Sequence, residues 1–171
     1  MRKIEDGITY YVIKKKKDIP VDGLGLGKPE TCQALYVLQQ ILEYFQIPNQ
    51  KIFRTSLGKP FFKNRDLHFN YSYTKQYIAI AISNQDVGID IEEKDRNVNQ
   101  VMIKRCNFNQ NHALRDFVVR ESYCKLSGKG ITIFFQTTYN KKYSNTLIDT
   151  QGYICSIWSK GQKQTFLRLN I

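Results

Sequence analysis

Apolar residues that recur at three- and four-residue steps mark the clearest helix of this chain. Between residues 30 and 46 the repeated positions are Ala34, Leu35, Leu38, Ile41, Leu42 and Phe45. This spacing places them on one face of an α-helix. Pro29 suits the first helical turn, and Pro48 ends the helix because proline cannot continue its backbone hydrogen bonds. The pattern predicts an amphipathic helix whose apolar face belongs to the core.

Shorter runs of β-branched and aromatic residues predict strands along the rest of the chain. The expected strands lie at 8–13, 52–54, 67–71, 77–82, 87–92, 131–136, 153–158 and 165–169. Residues 83–86 are rich in turn formers, so we expect them to join two strands as a hairpin. Two more helices are predicted at about 98–105 and 113–126, the second ended by Gly128. Strands mostly adjacent in sequence, with a few helices, predict an α+β fold.

The strand at 87–92 carries two carboxylates in an otherwise apolar stretch. Ile89 and Ile91 alternate with Asp90 and Glu92. Since side chains of a strand point alternately to its two faces, both carboxylates project from the same face, two residues apart.

The third predicted helix has an apolar stripe that becomes charged while it keeps its period. Leu114, Phe117 and Val118 mark the inward side, and steps of four residues lead to Glu121 and then Lys125. Such a stripe favours a site over a core. The alternative is an ordinary Glu121–Lys125 pair on a wet helix face, worth about 0.3–0.5 kcal/mol.

If Asp90, Glu92 and Glu121 converge, they need a counter-charge. Two carboxylates about 5 Å apart repel by roughly 3 kcal/mol at an effective dielectric constant near 20, so that three require a cation or a shared proton. Oxygen ligands without thiol or imidazole suit a hard cation such as Mg²⁺, Mn²⁺ or Ca²⁺. A magnesium ion held this way keeps room for a substrate phosphate.

Length and composition indicate one ordinary globular domain spanning residues 1–171. The chain is 42% hydrophobic and 24% charged, and it carries a formal net charge of +11. This charge calls for an anionic partner, and nucleic acid, a polyphosphate ligand, an acidic protein or an anionic membrane would each satisfy it. The sequence has no apolar run of signal-peptide or membrane-spanning length, so we expect a cytoplasmic protein.

Cysteine and histidine spacing does not suggest a metal motif. The four cysteines are Cys32, Cys106, Cys124 and Cys155. They lack a Cys-x-x-Cys spacing, and we interpret all four as reduced thiols. His68 and His112 lie far apart in sequence and are predicted to be structural or surface histidines.

Four landmarks occur in an order that is typical of one family. They are Gly58-Lys59-Pro60, His68-Phe69-Asn70-Tyr71-Ser72-Tyr73, Gly88-Ile89-Asp90-Ile91-Glu92, and Arg120-Glu121-Ser122-Tyr123-Cys124-Lys125 followed by Gly128-Lys129-Gly130. Together they resemble the 4′-phosphopantetheinyl transferase superfamily, particularly its surfactin-synthetase-activating type. The resemblance covers roughly residues 52–135.

The resemblance implies an activity and a fold. The family transfers the 4′-phosphopantetheine arm of coenzyme A to a serine of an acyl- or peptidyl-carrier protein and releases adenosine 3′,5′-bisphosphate. A holo-[acyl-carrier-protein] synthase of this kind depends on magnesium. The family fold is a pseudo-dimer of two similar α+β halves with the coenzyme between them. Here the halves would be approximately residues 1–87 and 88–171, and we expect a monomer.

The resemblance also implies roles for individual residues. The positions that match the family's magnesium ligands are Asp90, Glu92 and Glu121. The positions that match its coenzyme A contacts are Lys59, Ser72, Tyr73 and Lys125. In this interpretation Glu121 takes the serine proton as a general base, and Lys125 stabilises the departing phosphate oxygen. The positive surface would dock the carrier proteins, which are typically acidic.

The sequence departs from the family pattern at several places. Tyr73 stands where histidine is usual, Phe117 where tryptophan is usual, and Arg120 where lysine is usual. The amino-terminal half is short for the surfactin type. Tyr73 and the short amino-terminal half motivate an alternative, a catalytically silent relative that binds coenzyme A or a carrier protein. A nucleic-acid-binding module is disfavoured because the carboxylates would repel a phosphate backbone. We expect neither nucleic acid nor a membrane among the partners.

Overall fold

The computed structural model describes residues 8–15, 28–48, 50–64, 66–135, 138–160 and 164–166. In chain order the helices and strands of these ranges are β1 (Ile8–Lys14), α1 (Pro29–Tyr44), β2 (Ile52–Arg54), β3 (Pro60–Phe62), β4 (His68–Tyr73), β5 (Tyr77–Ser83), β6 (Val87–Glu93), α2 (Gln100–Cys106), α3 (Ala113–Ser127), β7 (Ser144–Asp149), β8 (Tyr153–Ser159) and β9 (Gln164–Phe166). Short 3₁₀ turns lie at Gln110–His112 and Gly130–Ile133. None of the helices in the described ranges is both long enough and apolar enough to cross a bilayer.

The first sheet has the strand order β4-β5-β1-β9. β5 pairs antiparallel with both β4 and β1, whereas β9 pairs parallel with β1. The apolar stripe of α1 packs on this sheet, where Leu38 and Ile41 join Tyr11, Phe69 and Ile80 in the largest cluster of buried residues. The stripe predicted from the sequence is therefore core, as expected.

The second sheet has the strand order β6-β8-β7 and is antiparallel throughout. Ile89 and Ile91 of β6 pack against Ala79 and Ala81 of β5, and this contact joins the two sheets. The other face of β6 receives α3 at very short range. A Cβ atom on Gly88 would lie 2.2 Å from the carbonyl oxygen of Ser122. Only glycine permits this approach of helix and strand.

The α+β class and all three helices are confirmed, with Gly128 as a left-handed cap after α3. The hairpin predicted at residues 83–86 is wrong, because β5 and β6 belong to different sheets. β3 and β7 were missed. The domain division near residue 88 and the pseudo-dimer stay predictions, and β9 returns from the second half to the first sheet.

The strand predicted at 131–136 is also wrong. The described part of this segment begins with the 3₁₀ turn at Gly130–Ile133, and residues 136 and 137 lie outside the described residues. Ile133 and Phe134 are buried in a cluster beside α3 rather than paired in a sheet. The backbone oxygen of Phe134 accepts a hydrogen bond from Arg120. This bond satisfies a carbonyl group that would pair with a neighbouring strand if the segment belonged to a sheet. Of the strand predicted at 165–169, only the part up to Phe166 lies within the described residues.

Candidate active site

A cleft of about 810 Å³ lies where β4, β6 and α3 meet the turn between β2 and β3. The seven site residues predicted from the sequence all line it: Lys59, Ser72, Tyr73, Asp90, Glu92, Glu121 and Lys125. The structure thus brings together side chains that are far apart in the sequence. Their individual roles stay predictions.

Asp90 is the most enclosed of the three carboxylates, with a side chain that is 3% exposed. Its Oδ1 accepts hydrogen bonds from Ser72 Oγ at 2.8 Å and from Lys125 Nζ at 2.7 Å. Lys125 Nζ also donates to Ser72 Oγ at 2.9 Å. A buried charge is stable only when it is paired and hydrogen-bonded, so this triangle ties β4, β6 and α3 together.

Glu92 projects from the same side of β6 and pairs with Arg96, four residues further on. The guanidinium of Arg96 lies over the ring of Phe117, 4.5 Å from its centre. Cation–π contact and ion pairing both orient an arginine. Arg96 and Phe117 also line the cleft.

Glu121 lies on α3 and interacts electrostatically with members of both ion pairs. Burial raises the pKa of its carboxyl above the ordinary value, and the charge of Asp90 raises it further, while Lys125 and Arg96 oppose the shift. A carboxyl held in this way accepts a proton more readily near neutral pH than an exposed one does. The neighbouring Cys124 also lines the cleft, but burial raises the pKa of its thiol to about 12, so it is a poor nucleophile.

The carboxylate oxygens of the cleft are the type of ligand that a hard divalent cation prefers. Asp90 Oδ2 is buried without a hydrogen-bond partner, a costly state that a cation would relieve. As the side chains stand, however, no group of three or more His, Cys, Asp or Glu residues in the described part of the chain is close enough to hold a metal. The predicted convergence of Asp90, Glu92 and Glu121 as ligands therefore stays a proposal.

Lys59 enters the cleft from the turn between β2 and β3. Its Nζ donates to Asp86 Oδ1 at 2.8 Å and to the backbone oxygen of Leu126 at 2.7 Å. Asp86 Oδ1 also lies 3.4 Å from His68 Nδ1, which accords with the structural or surface role predicted for this histidine. Because an ammonium has three donors, Lys59 keeps one for a ligand while the other two fix its position.

Part of the cleft wall is aromatic, because Tyr71 and Tyr73 of β4 line it. Their rings stack in a row with that of the buried core residue Phe69, with centres 6.5 Å apart. The hydroxyl of Tyr71 accepts a hydrogen bond from Arg54 Nη2 at 2.8 Å, and the hydroxyl of Tyr73 lies 3.4 Å from Thr31 Oγ1. Tyr73 therefore faces the cleft from the position where the family usually has histidine.

Sequence reasoning assigned no site role to several residues that line the cleft, although it considered Lys28 and Arg54 as possible nucleotide-binding residues without choosing between them. The unassigned lining residues are Lys28, Arg54, Asn70, Tyr71, Arg96 and Phe134. The period-two alternation of Phe69, Tyr71 and Tyr73 could have indicated that these rings share one face of β4, on which Tyr71 reaches the cleft beside Tyr73. Arg54 and Arg96 carry no local signal, because only the folded chain brings them to the cleft.

The chain shows similarity to a known protein, although no protein-family model matches it. The 4′-phosphopantetheinyl transferase gsp of Aneurinibacillus migulanus is 31% identical to it over an alignment of 134 residues, and the match covers 69% of this chain and 56% of that protein. The chain thus spans little more than half the length of its curated relative. This similarity confirms the resemblance to the 4′-phosphopantetheinyl transferase superfamily that the four landmarks indicate.

Proposed function

We propose that the protein transfers the 4′-phosphopantetheine arm of coenzyme A to a serine of an acyl- or peptidyl-carrier protein. One observation carries the proposal. Asp90, Ser72 and Lys125 form a hydrogen-bonded triangle in the same cleft as Glu121, a carboxyl whose pKa is raised. The cleft has a volume of about 810 Å³, which suits a cofactor-sized ligand. The named relative supports the same chemistry.

Asp90, Glu92 and Glu121 would hold the magnesium ion. The ion, when bound, neutralises negative charge on the pyrophosphate of coenzyme A. The unsatisfied oxygen of Asp90 supports this assignment. Manganese would serve the same oxygen ligands.

The chain's own residues would perform the remaining steps. The serine oxygen of the carrier attacks the phosphorus next to pantetheine, and the bond to the bridging pyrophosphate oxygen breaks. Glu121, whose pKa is raised by burial, takes the serine proton directly or through a water molecule. Lys125, one helical turn further on, supplies positive charge to the departing oxygen of adenosine 3′,5′-bisphosphate.

Lys59, Ser72 and Tyr73 would bind the phosphates of coenzyme A. Lys59 supplies a charge, whereas Tyr73 supplies one neutral donor in place of the usual histidine. The formal net charge of +11 suits an acidic carrier protein as the second substrate. We place the reaction in the cytoplasm and assign it to a monomer.

A labelling assay tests the proposal. The protein is incubated with an apo carrier protein, fluorescent coenzyme A and Mg²⁺, and the labelled carrier is detected by gel electrophoresis. We expect transfer that requires the metal and that falls by at least about 100-fold in Glu121→Gln. Arg115→Gln changes an exposed residue of the same helix and is the matched control.

Each other outcome has a definite meaning. Coenzyme A binding without labelled carrier would support the silent relative, for which Tyr73 is the motivating residue. Transfer that persists in Glu121→Gln would contradict the role assigned to this carboxylate. Salt-sensitive binding to nucleic acid without affinity for coenzyme A would overturn the proposal as a whole.

A further inference from the structure

Arg96 lies where it would compete with the proposed metal ion. We propose that Arg96 is a built-in competitor: its guanidinium neutralises Glu92 in the metal-free protein, and a divalent ion must displace it to be held by that carboxylate. This inference rests on the proposed function, because it concerns the same magnesium site. It adds a residue to which neither the sequence landmarks nor the relative's name assigns a role.

The geometry holds Arg96 at this place from two sides. Its Nη1 donates to Oε1 of Glu92, and its guanidinium is stacked 4.5 Å above the Phe117 ring. The residue lies three positions after the end of β6, where its backbone nitrogen donates to the oxygen of Glu93 at 3.1 Å and closes a turn. The turn, the ring and the carboxylate together aim the side chain at the cleft.

Exposure shows which partner yields more easily. The Glu92 side chain is 15% exposed and that of Arg96 is 42% exposed. Glu92 is anchored in the sheet, whereas the arginine has a solvated path away from it. An arriving dication would therefore move the guanidinium rather than the carboxylate.

The positive charge of Arg96 also weakens the binding of a cation by electrostatic repulsion. The charge of Arg96 reaches Glu121 as well, where it opposes the rise of the carboxyl pKa. A positive charge that interacts with two of the three proposed ligands lowers the affinity of the site for a second cation. The pairing also accounts for the spread of the three carboxylates, since Glu92 is drawn towards Arg96 and Asp90 towards Lys125.

Displacement would leave Arg96 within reach of the substrate. The Phe117 ring, which also lines the cleft, does not depend on Glu92 for its contact with the guanidinium. The freed fork of N–H donors then suits a phosphate oxygen pair. Metal binding and phosphate binding would thereby be coupled through one side chain.

Titration with Mn²⁺, followed by electron paramagnetic resonance of the free ion, tests the inference without any turnover. We expect Arg96→Gln to bind Mn²⁺ about three- to tenfold more tightly than the unaltered protein. Arg96→Lys keeps the charge and should stay within about twofold of the unaltered protein. Arg115→Gln removes the same charge from an exposed position on α3 outside the cleft lining and should also stay within about twofold.

The contrary outcomes separate this inference from the proposed function. Equal or weaker Mn²⁺ binding in Arg96→Gln, with the unaltered protein binding the ion, would overturn the inference and leave the magnesium site standing. Tighter binding in Arg96→Lys to the same extent as in Arg96→Gln would overturn it too, because the charge is retained. Absence of Mn²⁺ binding in every variant would overturn both the inference and the magnesium site.

Discussion

The two long helices of this protein meet their sheets with different kinds of face. The buried side of α1 is almost wholly apolar, with Leu38 and Ile41 at its centre. The buried residues of α3 include Arg120 and Ser122, and its cleft side carries Glu121. α1 has only to pack, whereas α3 packs and lines the cleft at once. The comparison shows that Glu121, a catalytic candidate, lies on the helix whose buried face is the less regularly apolar of the two.

Ser122 and Arg120, two buried polar residues of α3, have specific hydrogen-bond partners. Ser122 Oγ lies 2.7 Å from Ser156 Oγ of β8 and donates to the oxygen of Val118 at 2.8 Å. Arg120 donates to the backbone oxygens of Cys106 and Phe134, both at 3.3 Å, with its guanidinium 4.8 Å from the Phe108 ring centre. Such contacts fix one orientation of the helix, which apolar packing alone specifies less tightly.

The largest expected effect sharpens the description of α1 as a packing helix. Leu38 is 1% exposed, so Leu38→Ala should lower the free energy of unfolding by about 2–5 kcal/mol through lost burial and a cavity. Denaturant titration measures this loss. Leu57, which is 61% exposed, supplies the matched control, and Leu57→Ala should cost less than about 0.5 kcal/mol. Similar losses in the two variants would contradict the assignment of α1 to the core.

The next prediction tests the close contact of α3 with β6. A Cβ atom at residue 88 would lie 2.2 Å from Ser122 O and 2.4 Å from Leu126 N, both backbone atoms that cannot rotate away. Gly88→Ala should therefore cost about 1–3 kcal/mol and move the helix away from the strand. Since Glu121 and Lys125 move with it, we expect transfer to fall by about 100-fold in protein that is still folded. Unchanged transfer by a destabilised variant would show that this contact does not position the site.

The sequence was sufficient to predict the parts of the fold that depend on local pattern. The apolar period of α1, the strand alternation around Asp90 and the glycine after α3 each express a rule that operates within a few residues. The residues predicted to form the site also meet in one cleft, as their place in the family pattern implied. Local sequence patterns therefore predicted these elements, and the order of the family landmarks predicted which residues line the cleft.

Features that depend on distant contacts were not predictable in the same way. The apolar run at 131–136 has strand composition, yet Phe134 supplies its backbone oxygen to the buried Arg120 instead of a strand. Likewise, the fixing of Lys59 by Asp86 and the oxygen of Leu126 joins three separate parts of the chain. No periodicity encodes such pairings, because they exist only once the sheets have packed.

The smallest expected effect distinguishes the cleft side of α3 from the exposed side of α1. Burial and the charge of Asp90 raise the pKa of Glu121 in the folded protein, so its ionised form weakens the fold. In metal-free buffer at pH 7, Glu121→Gln should therefore raise the free energy of unfolding by about 0.5–2 kcal/mol while transfer is lost. Glu43, exposed on α1, is the matched site, and Glu43→Gln should not stabilise the protein.

The pH dependence of this gain follows from the direction of the shift. A carboxyl whose folded pKa is raised contributes stability below its unfolded value, about 4.3, and loses it as the pH rises through the folded value. Thermal unfolding should show little advantage for Glu121→Gln near pH 4 and the full advantage at neutral pH. Added Mg²⁺ should reduce the difference, because the ion would stabilise the unaltered protein more than a variant that lacks one of the three proposed ligands. If the unaltered protein is instead more stable than Glu121→Gln at pH 7 without metal, Asp90 and Glu121 do not repel each other. Glu121 would then affect stability no differently from the exposed Glu43 of α1.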